Sequence, residues 1–319
     1  MSNRVKLQAE VPKAMSGERL DIVVAQLFPD YSRARLQSWI RSGCLLVNDA
    51  VLRPRDKVYT HDRIDLEALL EAYPGHEAQI LPLAVIYEDE QLLVVNKATD
   101  TVVHPAAGHQ SGTMMNGLLH HCPQLKLLPR AGIIHRLDKD TTGLLVVAKT
   151  LKCHSELIRQ LQRREIRREY DAVVTGVMTA GGTIDAPLGR NPFQRKKRAV
   201  VASGKAATTH YKVIKRFKAH THVRVRLETG RTHQIRVHLS HIAYPIVGDK
   251  TYGGRLQIPR NSSEVLVAQL RGFPRQALHA RLLGLVHPES GEEMNWESSL
   301  PDDMQELLTA LARDAQNEG

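Results

Sequence analysis

The segment His135 to Gly143 (HRLDKDTTG) sets one carboxylate, Asp138, between two cations, Arg136 and Lys139. This polar turn runs directly into the apolar run Leu144 to Ala148. Such a turn must feed its chain into a buried strand, so Asp138 is expected at the edge of a core. A carboxylate placed there is either a structural ion pair or a working chemical group.

Residues 16–75 are expected to form one small unit. Leu20, Val23, Val24 and Leu27 recur at helical spacing, and Pro29-Asp30 breaks that helix. Ser32 is a good N-cap for a second helix with Leu36 and Ile40 on its apolar face, ended by Ser42-Gly43. Leu45 to Val47 then read as a strand, and Asn48-Asp49 as a tight turn. The outer face of the second helix carries Arg33, Arg35 and Arg41, with Arg53, Arg55 and Lys57 in the next loop. That is a phosphate-binding surface or a solvated basic face.

Residues 70–82, with Pro74-Gly75 and Pro82, read as a linker, leaving 76–319 as a second domain. Strands are expected over Leu92 to Val95, Gly143 to Lys149 and Glu169 to Gly176, the last with Tyr170, Ala172 and Val174 on one face. Val223, Val225 and Leu227 alternate with Arg224, Arg226 and Glu228, a half-buried strand. Helical spacing marks Lys152 to Glu165 and Ile235-Leu239-Ile242. Strands outnumber helices, and no strand is regularly followed by a crossover helix. The class is therefore α+β with a mostly antiparallel or mixed sheet, in preference to a doubly wound fold. Asp302 to Gly319 reads as a short acidic helix that frays.

The chain carries 44 Lys and Arg against 34 Asp and Glu, a net charge of +10. The excess is uneven: Lys152 to Arg198 holds eleven cations and five anions. Arg163-Arg164, Arg167-Arg168 and Arg195-Lys196-Lys197-Arg198 are dense clusters, which favours a polyanion footprint over general solubility. No apolar run approaches the ~18 residues of a membrane span. Met1 to Lys13 has no apolar core of a secretory signal. Cys44, Cys122 and Cys153 are distant and odd in number, which suits free thiols in a reducing cytoplasm. The sixteen histidines are scattered, and neither His120-His121 nor His220-x-His222 has metal-site spacing, so no metal is expected.

Three elements could converge on one chemistry: Asp138, Tyr170 in the run Arg168 to Val174, and Arg236 in the segment Gly230 to Arg236 (GRTHQIR). Arg236, near the start of a helix, can hold a carboxylate bidentately and keep it ionised. An ionised, oriented carboxylate can serve as nucleophile or base at a sugar C1′ or C2′. A tyrosine beside it could move a proton or stack on a base. On pattern alone, Asp138–Arg236 is as readily a structural pair, Tyr170 a core residue, and Gly230-Arg231-Thr232 an ordinary turn.

HRLDKDTTG, REYDAVVTG and LETGRTHQIRVH, in this order, resemble the three core motifs of the RluA-type pseudouridine synthases. Val95-Asn96-Lys97 with Val103-His104-Pro105, His241 to Gly254 (HIAYPIVGDKTYGG) and Arg275 to Ala280 resemble further segments of that family. The unit at 16–75 resembles a small α/β S4 RNA-binding domain. The resemblance implies a catalytic domain on a central, mostly antiparallel mixed sheet, with RNA bound in the cleft across it.

It implies that Asp138 is the essential acid, Tyr170 the active-site tyrosine and Arg236 the partner of Asp138. Arg136 would fill the space left by a flipped uridine, since the glycosidic bond of a stacked base is out of reach. Arg231 and His233, and Arg33, Arg35 and Arg41 on the S4 unit, would touch RNA. The branch most similar to this chain acts on large-subunit (23S) rRNA, with the helix 69 stem-loop as the implied target. Apart from the resemblance, a monomer in the cytoplasm is expected. The glycal route, with Asp138 as C2′ base, is implied over a covalent sugar ester. No cofactor is implied, because the isomerisation adds no group and changes no redox state. Lys97-Ala98-Thr99-Asp100 departs from the family's Lys-Pro-Ala-Gly pattern, so a different loop conformation is expected there. The rival from another class is a non-catalytic RNA-binding ribosome-assembly factor. A glycosidase would want a second carboxylate, for which Asp140 is the nearest candidate.

Overall fold

The computed structural model describes residues 4–70, 77–105, 109–195 and 197–316. Near the N-terminus it contains β1 (Arg4–Glu10), α1 (Leu20–Leu27), α2 (Arg33–Arg41), β2 (Leu45–Val47) and β3 (Arg63–Leu69). Ser32 caps α2 by accepting from the Arg35 N–H, and Leu36, Trp39 and Ile40 turn inward. Asn48 and Asp49 both take positive φ, +48° and +64°, the conformation a two-residue hairpin turn of matching twist requires. The antiparallel sheet runs β1-β3-β2 and packs Ile64, Leu66, Leu45 and Val47 with Leu20, Val23 and Leu36 into a small core. This unit starts before residue 16: β1 pairs with β3 along its whole length, from Arg4↔Leu69 to Glu10↔Arg63. Its alternation in RVKLQAE is weak, because only Val5 is fully buried.

Of the expected linker, residues 71–76 with Pro74-Gly75 lie outside the described residues. The following stretch is tied down: Asn116 donates to the Glu77 carbonyl at 2.7 Å, and the Gln79 N–H donates to the Asn116 carbonyl at 3.0 Å.

The larger part comprises β4 (Ala84–Glu88), β5 (Leu92–Lys97), α3 (Met114–His121), β6 (Thr142–Ala148), α4 (Leu151–Arg163), β7 (Arg167–Thr175) and β8 (Gly182–Asp185). There follow β9 (Leu188–Arg190), β10 (Arg198–Val200), β11 (Thr208–Arg216), β12 (His220–Leu227) and α5 (Gln234–His241). The chain ends with α6 (Glu264–Gly272), β13 (Leu278–Val286), β14 (Glu293–Glu297) and α7 (Asp302–Gln316). Nine strands form one sheet in the order β4-β5-β6-β13-β7-β12-β11-β8, with β14 beside β13; β9 and β10 make a separate hairpin. Every pairing in the large sheet is antiparallel except β6 with β13, giving the expected α+β class and mixed sheet.

The central strands are covered on both faces. All of β6 is buried, which is why it reads as a continuous apolar run. Gly143 has φ +112°, and a Cβ there would stand 2.2 Å from the Ala280 carbonyl oxygen. Only glycine lets β6 enter against β13 so closely.

The C-terminal helix corrects its expectation. Over Asp302–Gln316 it buries Met304, Leu307, Ala310 and Leu311 in the main core. The buried Asp314 accepts from the Ser263 N–H at 2.6 Å, next to the start of α6. Residues 317–319 lie outside the described residues. Among the described residues the three cysteines are free and no helix is long and apolar enough to cross a membrane.

Two buried imidazoles give a pH expectation. Burial lowers His154 and His220 from 6.5 to about 4. Between those values the unfolded chain binds more protons than the folded one, so stability is full above pH 6.5 and falls as pH drops toward 4. Each tenfold difference in proton affinity is worth ~1.4 kcal/mol, so a loss on the order of a few kcal/mol is expected between roughly pH 7 and pH 5. Denaturant midpoints at the two pH values check it; equal midpoints would mean that these rings are not held neutral.

Candidate active site

The loop carrying Asp138 is fixed from below by two buried cations. Lys97, at the end of β5, donates through Nζ to the carbonyls of Ala98, Thr101 and Lys139, the last at 2.6 Å. Burial lowers its ammonium to about 8, against the opposing pull of Asp140 and Asp138. Arg275 donates to the Asp140 carbonyl at 3.2 Å and grips Asp303 of α7 through Nε and Nη2 at 2.6 and 2.8 Å. The Thr141 N–H closes the turn on the Asp138 carbonyl at 3.0 Å. The atypical segment falls into place here: Asp100 has φ +58° and pairs with Lys139 at 2.7 Å, so its charge is met within the protein.

Asp138 faces a cleft of about 830 Å³, and its side chain is 16% exposed. Arg236 Nη1 donates to Asp138 Oδ2 at 2.9 Å, and His233 Nε2 lies 3.9 Å from Oδ1. The expected bidentate grip is corrected. The fork of Arg236 holds Asp249 instead, with Nε at 2.7 Å and Nη2 at 2.8 Å, leaving one N–H for Asp138. Asp249, with a side chain 0% exposed, also accepts from the Thr251 and Tyr252 N–H groups. Burial opposes its charge, but Arg236 and these donors more than offset it and hold the carboxyl below its ordinary value. Burial likewise works against the Arg236 charge, and Asp249 with Asp138 reverses that, raising the guanidinium. The Arg236 guanidinium also lies 5.1 Å from the Tyr252 ring centroid, and Tyr252 Oη is 2.8 Å from His233 Nδ1.

Tyr170, buried on β7, lines the same cleft; burial raises its phenol, so it stays protonated. Arg136, Arg231 and His233 line the cleft as well, Arg136 and Arg231 exposed. Gln234 sets the loop before α5 by accepting from the Arg231 N–H and Thr229 Oγ1, both at 2.9 Å. The structure thus brings Asp138, Tyr170, Arg236, Arg136, Arg231 and His233 together. Arg33, Arg35 and Arg41 stand apart on α2, outside the cleft lining. Arg33 pairs with the buried Asp21 at 2.7 Å, and Arg35 donates to the Leu127 carbonyl at 3.1 Å. Among the described residues, no cluster of three or more His, Cys, Asp or Glu could hold a metal ion.

The profile described as RNA pseudouridylate synthase matches residues 91–241, and that of the S4 domain matches residues 18–64. Ribosomal large subunit pseudouridine synthase D of Pseudomonas aeruginosa is 58% identical over 314 residues, 98% of each chain. The chain belongs to the RNA pseudouridylate synthase family. A second such synthase, from Escherichia coli (strain K12) and bearing the same name as the first, is 50% identical over 315 residues, 98% of this chain and 97% of that one. The solved structure of human RNA pseudouridylate synthase domain containing 4 is 26% identical, with a TM-score of 0.56, covering 72% of this chain and 93% of that one.

Within this pseudouridylate synthase fold, two site residues escape the sequence patterns: Asp249 and Arg168. Asp249 sits in the segment HIAYPIVGDKTYGG, where nothing local marks it as the main partner of Arg236. Arg168 belongs by charge density to a surface cluster, yet it is buried and lines the cleft. The signal that could find it is its place two residues before Tyr170 on one strand, hence on the same face. Arg164 and Arg167 of the same basic run pair with Glu228 and Glu169.

Proposed function

We propose that this chain isomerises uridine to pseudouridine in large-subunit rRNA, in the helix 69 stem-loop of the 23S molecule, as a cytoplasmic monomer. The single observation carrying the reading is Asp138, held at 2.9 Å by a buried guanidinium and open to a cleft of about 830 Å³. The names of the relatives at 58% and 50% identity support the substrate class. The two-part division, an S4 unit over 16–75 and a catalytic domain over 76–319 with a linker at 70–82, is part of the proposal, with β1 joined to the first unit by its pairing with β3.

Asp138, held in place by Arg236, acts at the ribose as base at C2′ or nucleophile at C1′. The uridine must first leave its stack, and Arg136 at the cleft rim is placed to fill the gap. Neutral Tyr170 can stack on the base or donate to it. Arg231 and His233 hold the flanking backbone. Arg41, and Arg33 and Arg35 in part, add phosphate contacts from the S4 unit. No group enters or leaves, so the residues present suffice without a cofactor.

The test is a map of pseudouridine across rRNA from cells with and without this chain. Loss confined to helix 69 of the large subunit, restored by the intact chain, is expected. An unchanged map would overturn the proposal.

A further inference from the structure

We infer that Arg168 binds the uracil anion formed when the C1′–N1 bond breaks. This rests on the isomerase reading above. Arg168 is 5% exposed, and its Nε has no hydrogen-bond partner among the described residues. The other buried arginines differ: Arg236 grips Asp249, and Arg275 grips Asp303. A buried guanidinium without an anion is costly, so its partner is expected from outside the protein. The side chain is built into the cleft. It shares a strand face with Tyr170, and a Cβ at Gly230 would stand 2.8 Å from its Nη1. The bare glycine leaves room for the guanidinium beside the loop that leads to Arg236. Asp138 cannot be the missing anion, since its partner is Arg236.

Two anions could arrive with RNA, a phosphate and the base itself. Phosphates stay in water at the rim, where the exposed Arg136 and Arg231 stand. Arg168 lies on the buried floor next to Tyr170, where a flipped base would rest. When C1′–N1 breaks, the bonding pair stays on uracil and spreads over N1, O2 and O4. Asp138 takes the C2′ proton or bonds to C1′. The ring then turns, its C5 bonds to C1′, and Asp138 returns the proton or departs. Finally C5 loses its hydrogen as a proton and N1 gains one. Uracil thus carries a full negative charge only between the two bonds. A fixed guanidinium aimed at O2 or O4 stabilises that interval more than the neutral starting base.

The test uses the full chain under single-turnover conditions with an RNA substrate. Arg168→Met should lower the rate by about a hundredfold or more while the Kd stays within about twofold. Arg168→Lys, which keeps the charge, should recover at least about tenfold of that loss. With 5-fluorouridine at the target, fluorine disperses the charge on the leaving base. The Met defect, read by mass spectrometry as disappearance of 5-fluorouridine, should then shrink by about tenfold. If Arg168→Met does not fold, Arg168→Lys carries the same comparison with a smaller defect.

A phosphate contact would instead raise the Kd, lower the salt slope by about 0.7 and spare the rate at saturating RNA. That result overturns the inference, as does an equal defect on both substrates, which marks a packing role. An inactive Asp138→Asn beside a fully active Arg168→Met sinks Arg168 alone; an active Asp138→Asn sinks the isomerase reading itself.

Discussion

Asp138→Asn is expected to abolish isomerisation, by at least about 10⁴-fold in single-turnover rate, without loosening RNA binding beyond about twofold. The amide has the shape of the carboxylate and can still accept from Arg236 Nη1 at 2.9 Å. It cannot attack C1′ or take a proton from C2′. The geometry should survive, because Arg236 is oriented mainly by Asp249 through two bonds of 2.7 and 2.8 Å. The guanidinium also keeps a counter-charge, so stability should change by less than about 1 kcal/mol. Release of tritium from C5 of labelled uridine reads the chemistry directly, and filter binding reads affinity. Release within tenfold of the unmodified protein would remove Asp138 from the reaction.

How much of this is visible in the sequence depends on the range of each signal. The cap at Ser32, the turn at Asn48-Asp49 and the apolar runs of β5 and β6 are written within a few residues, and each forms where expected. The turn around Asp138 is similarly local. Pairings across long separations are not readable. β1 and β3 lie some sixty residues apart and recognise each other by register, which a charged, weakly alternating segment does not announce. The α7 pattern of Met304, Leu307 and Leu311 has helical spacing, but the surrounding acids give it the look of a solvated helix.

At the site, the sequence offers Arg236 as a partner for Asp138 but cannot rank that contact against Asp249. The choice depends on which carboxylate meets the planar fork head-on, a tertiary fact. Arg168 is hidden for a different reason: the charge density of its run masks the alternation of the strand it sits on. Arg167 points to Glu169 and solvent, and Arg168 points to the cleft.

The priority of Asp249 has a measurable consequence. Asp249→Ala should destabilise the fold by about 3–5 kcal/mol, because it leaves Arg236 buried with only one contact to a partly exposed acid. Asp249→Asn should cost less, since its amide oxygen can accept from one arm of the fork and from the N–H groups of Thr251 and Tyr252. Below its unfolding transition, either variant should still bind RNA with Kd within about threefold, as a side chain 0% exposed makes no contact with a ligand in the cleft. The single-turnover rate should nevertheless fall by about a hundredfold. With Asp249 neutral or gone, the two-bond brace on Arg236 is weakened or lost, so the guanidinium and the Asp138 carboxylate it holds shift from the position that faces the ribose. A rate that falls while affinity holds separates this positioning role from simple unfolding, which would lower both together. A rate within threefold of the unmodified protein would show that Asp138 does not depend on Asp249 for its place.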